Sequence, residues 1–201
     1  MENHQVDLPE NSATSRRRLL TSLLAGGAFA AAAPMLASRA SAADEATTTT
    51  EASTATTVAP PNRDAADNDT LNALVRREAQ MVATYASAIK VTKDANDVAA
   101  LTLIHDHHLA YQQALVGYLG NKATGAGAAN SLVTASGSFS ADANQLAGLE
   151  NATMNMHIDA LSTINGLNAA TLIASIITME ARHSAALALV SGLAPLTVAG
   201  N

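Results

Sequence analysis

Two glutamates, Glu78 and Glu150, stand 72 residues apart, and each is followed 30 residues later by a candidate pair of metal ligands. After Glu150 the pair is Glu180-Ala181-Arg182-His183, a Glu-x-x-His that a helix presents on one face. After Glu78 it is His108-Leu109-Ala110-Tyr111. The register continues, with Tyr85 seven residues after Glu78 and His157 seven after Glu150. Leu74/Leu146, Ala88/Ala160, Ala114/Ala186 and Leu115/Leu187 coincide at the same offset of 72. An ionised carboxylate is costly to bury unless it is paired or coordinates a metal. Two copies of a helix pair, each bringing such groups to one level, is how a four-helix bundle builds a dinuclear metal centre.

The elements that would position these residues are all helical. Asp69 or Thr70 can cap a first helix running to about Val91, with Leu71, Leu74, Val75, Glu78, Val82, Tyr85 and Ile89 on one face. Asp94 or Asn96 can open a second, which Gly120 ends. Ser140 can cap a third that ends near Gly166, and Asn168 can start a fourth that ends near Gly192. Residues 120–139, rich in Gly, Ala, Ser and Thr, form the one long connection, with room for a short helix. The expected fold is all-α: two antiparallel helix hairpins joined by a long crossover. No sustained period-two alternation of β-branched residues argues for strands.

Helical geometry selects the inward polar residues. On the second helix Leu101, Ile104, His108, Tyr111, Leu115 and Leu119 fall within roughly 80° of one another. His105 lies about 60° to one side and His107 about 100° to the other, so both read as flank residues, while Asp106 faces away. On the fourth helix Ile173, Ile176, Glu180, His183 and Leu187 form the matching stripe. Glu78, His108, Glu150, Glu180 and His183 are therefore the candidate metal ligands. Tyr85, Tyr111 and His157, and more weakly His105, could orient a carboxylate by hydrogen bonding or touch the metal themselves. Met154, Met156 and Met179 read as fillers of the core. The bland alternative for every one of these polar groups is a satisfied core residue.

Composition bounds the rest. Ser15-Arg16-Arg17-Arg18-Leu19-Leu20 resembles a twin-arginine signature; an Ala-rich run to Leu36 and a small-x-small site at Ala40-Ser41-Ala42 follow it. Residues 1–42 read as a signal for export to the periplasm, cell envelope or exterior. They hold four of the 11 basic and three of the 17 acidic residues, so the remainder carries a net charge of −7. An acidic chain with no basic run is a poor candidate for nucleic acid or anionic lipid, and no stable membrane span is expected after residue 42. There is no cysteine, which excludes a disulfide framework and a lipid-modified cysteine anchor. Residues 43–67 have the Thr/Ala/Pro composition of a disordered tether, and 193–201 read as a short tail. The domain at 68–192 lacks tryptophan and has Phe139 as its sole phenylalanine, so Ala, Leu, Ile, Val and Met must build its core.

The paired glutamates and the Glu180/His183 pair resemble the ferritin-like superfamily, in particular secreted bacterial proteins with a ferritin-like domain, over residues 68–192. The resemblance implies a glutamate from each of the first and third helices, here Glu78 and Glu150. It implies a Glu-x-x-His from the second and fourth. Glu180 and His183 match that pattern, whereas His108 and Tyr111 replace glutamate and histidine on the second helix. Four carboxylates would neutralise two divalent ions; three leave the pair at +1. The sequence leaves three outcomes open: an asymmetric dinuclear site, a single metal at Glu150, Glu180 and His183, or an empty polar core. Iron is the metal that the resemblance implies, with manganese or zinc also suited to mixed carboxylate and imidazole ligands. The implied activity is redox chemistry with dioxygen or peroxide. A rival reading is a metal-free envelope or extracellular scaffold that keeps only the bundle. A homodimer is compatible with either.

Overall fold

The computed structural model describes residues 64–192. Four helices, α1 (Asn68–Val91), α2 (Ala95–Leu119), α3 (Phe139–Leu161) and α4 (Leu167–Ser191), make an all-α bundle without strands among the described residues. The signal at 1–42, nearly all of the 43–67 tether and the tail at 193–201 lie outside the described residues. A 3₁₀ turn, Ala65–Asp67, precedes α1, so that helix starts at Asn68 rather than behind a cap at Asp69 or Thr70.

The local signals explain most boundaries. The Asp94 carboxylate accepts from the backbone N–H groups of Asn96 and Asp97 at the start of α2. Gly120, at φ 57°, ends it in a conformation that suits glycine. Gly192, at φ 80°, closes α4 in the left-handed region. α3 departs from expectation at both ends. It begins at Phe139 and stops at Leu161, because Thr163 turns back to the Ala160 carbonyl with both its N–H and its hydroxyl. Before it, the Asp142 carboxylate accepts from Ser136 N–H, Ser136 Oγ and Gly137 N–H, which folds the crossover onto the helix start.

The two apolar ends of the bundle give the topology. One joins Met81, Tyr85 and Ala88 of α1 to Ala100 and Leu101 of α2, Phe139 and Ala143 of α3 and Leu187 of α4. The other joins Leu71 and Leu74 to Leu115 and Leu119, Ala160, Ala169 and Ile173. Hence α2 and α3 run the same way, opposed to α1 and α4, and the crossover must travel the full length of the bundle. It does so along α1. The Thr124 N–H donates to Asn72 Oδ1 near one end, Leu132 N–H donates to Thr84 Oγ1 at 2.9 Å midway, and Gly137 passes the Val91 carbonyl at the other. The Gly120–Lys122 3₁₀ turn is the only helix in this connection.

Of the described helices, α4 is long and apolar enough to cross a membrane by length and composition. Half of that stretch is buried in the bundle and holds Glu180 and His183, which is the character of a core helix. Of the three methionines expected in the core only Met179 is fully buried. Met154 is half-buried, and Met156 is exposed on the outer face of α3.

Asp67 is a structural tie that the sequence reading overlooked. Buried at the head of α1, it accepts from Gly166 N–H at 2.8 Å, Asn165 N–H at 3.0 Å and Asn165 Nδ2 at 3.2 Å, holding the α3–α4 turn. Asp67→Ala strands those donors and is expected to cost about 2–3 kcal/mol, read as a lower urea midpoint with the helical content retained.

Candidate metal centre

Between the two apolar ends lies a layer of ionisable side chains, one set from each helix. Glu78 (α1), His108 (α2), Glu150 and His157 (α3), and Glu180 and His183 (α4) are all 0% exposed. All five residues proposed as ligands from the sequence meet here, and His157 joins them directly.

The hydrogen bonds run both within and between the hairpins. His108 lies between two carboxylates, with Nδ1 2.7 Å from Glu78 Oε2 and Nε2 3.0 Å from Glu150 Oε1. The Tyr85 hydroxyl donates to Glu150 Oε1, and His183 Nδ1 is 3.3 Å from Glu150 Oε2. His157 Nδ1 donates to the Thr153 carbonyl at 3.0 Å and sits 3.1 Å from Glu180 Oε2. That leaves its Nε2 facing Glu78 Oε1 at 3.2 Å. Tyr85 and His157, related by the offset of 72, thus reach reciprocally: each touches the glutamate of the other hairpin.

His107 corrects the flank assignment. It is 5% exposed, and its Nδ1 lies 2.8 Å from His183 Nε2, with the rings stacked at 9°. The single-stripe wheel missed it because α2 packs against both α1 and α4, so its buried face is wider than one stripe. His105 is corrected the other way: it stays at the surface, beside Asp106 at 2.8 Å, and takes no part in the layer. Tyr111 borders the layer, edge-on to His108, with a buried hydroxyl that finds no hydrogen-bond partner. Arg77 turns from the carboxylates to α3, donating to Thr153 Oγ1 at 2.8 Å and the Leu149 carbonyl at 3.4 Å.

The electrostatics are those of compensated burial. Desolvation opposes a charge on His108, but Glu150 and Glu78 outweigh it and hold its pKa well above the ordinary value. Desolvation likewise works against Glu150, and the His108 and His183 rings more than offset it, keeping that carboxyl well below the carboxylate range. Burial raises Glu180 to about 7, against the pull of His157. Burial, with His183 and His108 nearby, lowers His107 to about 4. Burial lifts the Tyr85 and Tyr111 phenols above their usual value, with Glu150 leading the charges acting on Tyr85 and Glu78 those on Tyr111.

These shifts set a pH profile for the metal-free protein. An acid raised on folding, as Glu180 is, stabilises below its ordinary 4.5, and that contribution is lost as pH climbs through about 7. The raised His108 contributes below its ordinary 6.5 and loses its contribution at still higher pH. Glu150 acts oppositely, its contribution vanishing as pH falls below 4.5. The depressed His107 also penalises folding once pH drops below 6.5. Stability is therefore expected to peak between roughly pH 5 and 7 and to fall on both sides, as urea midpoints measured with chelator present would show.

The layer can accept a cation. Glu78 Oε1, both Glu180 oxygens and His157 Nε2 are buried without a directed hydrogen bond. Two ligand triads, His108/Glu150/His183 and Glu78/His108/Glu180, each bring their donor atoms within 4.8 Å of one another. Buried carboxylate oxygens beside imidazole nitrogens are a donor set that suits a transition metal. A family model described as a ferritin-like domain matches residues 47–193. No curated protein and no solved structure matches the chain.

Proposed function

Because the chain belongs to the ferritin-like domain family, we propose that it is an exported protein holding iron, or manganese or zinc in its place, within the bundle core. The observation that carries this reading is the buried layer itself. Three carboxylates and four imidazoles at one level, with Glu180 Oε1 unpartnered and Oε2 facing only the His157 ring, are hard to account for as packing alone. Glu78, His108, Glu150, Glu180 and His183 are the proposed ligands, joined now by His157. A redox-active metal bound there would supply electron exchange with dioxygen or peroxide at its open coordination positions.

The protein's own residues prepare that chemistry. The Tyr85 hydroxyl fixes the orientation of Glu150, and the Thr153 carbonyl fixes which nitrogen of His157 faces Glu78. His107 occupies the far nitrogen of His183 and leaves Nδ1 toward Glu150. The apolar clusters above and below exclude water, which strengthens every charge interaction within the layer. The twin-arginine-like segment at Ser15–Leu20 supports export.

One observation favours the rival scaffold reading: each of the three carboxylates already faces an imidazole without any metal, His108 pairing Glu78 and Glu150 and His157 lying 3.1 Å from Glu180. Elemental analysis by mass spectrometry of protein purified from its own host decides between them. Stoichiometric iron, or manganese or zinc, is the expected result. A folded, helical protein with no bound metal would overturn the proposal.

A further inference from the structure

The two ligand triads share one residue, His108, and approach it from opposite sides. Nε2 stands beside Glu150, of the triad with His183, whereas Nδ1 stands beside Glu78, of the triad with Glu180. A neutral imidazole has a single lone pair and can complete only one triad at a time. With both protons gone it has two, one aimed at each triad.

The charge balance agrees. Glu78, Glu150 and Glu180 supply −3 against the +4 of two divalent ions, and no further acid among the described residues enters the layer. Asp106 and Asp159 are both exposed on the bundle surface. An imidazolate at position 108 supplies the missing charge where it is needed, between the two ions. A histidine in place of the second-helix glutamate then preserves neutrality instead of degrading the site.

Resting on the proposal that the layer binds metal, we infer that His108 bridges two divalent transition-metal ions through its two ring nitrogens. One ion is held by His108 Nε2, Glu150 and His183, the other by His108 Nδ1, Glu78 and Glu180. His157 Nε2, facing Glu78 Oε1 at 3.2 Å, is in reach of the second. The ring gives up its two N–H protons to solvent as the two ions arrive, with no change in oxidation state. Such a bridge sets the ions farther apart than the roughly 3.5–4 Å usual in two-metal sites. It also couples them magnetically through the ring.

The test is a titration of metal-free protein with copper(II), which binds nitrogen and oxygen sites tightly and carries an unpaired electron. His105→Ala serves as the background in which the exposed imidazole of α2 is removed. Two copper ions per chain are expected, with the electron paramagnetic resonance of an exchange-coupled pair and release of the His108 protons on binding. His108→Gln is expected to halve the stoichiometry and leave an uncoupled signal. His108→Glu, which restores a fourth carboxylate, is expected to keep two ions at a shorter separation. Far-UV circular dichroism checks that each variant is folded. One copper per chain, two uncoupled coppers, or a coupled pair that survives His108→Gln would overturn the bridge and leave metal binding standing. No core copper at all would overturn both.

Discussion

Glu150→Ala is expected to abolish metal binding at the His108/Glu150/His183 triad and to destabilise the metal-free bundle by about 3–5 kcal/mol, the usual consequence of removing one partner from a buried ion pair. Glu150 is the hub of the layer. Its carboxylate faces the Tyr85 hydroxyl, His108 Nε2 and His183 Nδ1, groups drawn from the other three helices. Without it, Tyr85 keeps a buried phenol with no acceptor, and His108 retains Glu78 alone as counter-charge. The measurement is a urea denaturation series in chelator, paired with metal analysis of the protein as purified. A variant that keeps both its stability and its metal would refute the assignment.

Glu180→Leu is expected to separate the two effects. It too should lose metal, at the Glu78/His108/Glu180 triad, since Glu180 belongs to that triad and its Oε1 has no hydrogen-bond partner. Yet the metal-free variant should be more stable than the parent by about 1–2 kcal/mol near neutral pH, because an apolar residue of similar size removes an acid that burial disfavours in its ionised form. His157 keeps the Thr153 carbonyl as its acceptor, so little is stranded. A residue whose removal strengthens the empty fold and abolishes a metal site is being held for binding. If Glu180→Leu instead destabilised the metal-free protein as much as Glu150→Ala, Glu180 would be a structural acid.

The contrast between these two glutamates was beyond the reach of sequence. Their spacing and helical phase put both inside, because a period of 3.6 residues relates positions on one helix. Phase does not say which buried group faces which across the bundle. For the same reason Tyr85 and His157 could be placed near the layer but not seen to cross over to each other's hairpin. His107 was lost because a one-stripe wheel undercounts the face of a helix that packs against two others. Asp67 was lost because its partners lie 98 and 99 residues away in a turn, where no periodicity operates. Met156 was misplaced since an apolar side chain alone carries no direction. The elements themselves were legible: Asp94, Gly120 and Gly192 mark helix ends by local chemistry, and the long crossover follows from glycine-rich composition over residues 120–139.

The enclosure of the layer governs timing as well as affinity. Six of its side chains have no contact with solvent, and apolar packing closes the bundle on both sides of them. An ion can reach such a site only when the hairpins part, or before they have closed. Loading and release then run at the rate of a partial opening of the bundle, which is slow wherever such an opening is costly. Any metal that the proposed site carries is in that case a record of where the chain folded. Were the chain exported already folded, as proposed, the compartment of synthesis would choose the ion and the compartment of work would inherit it.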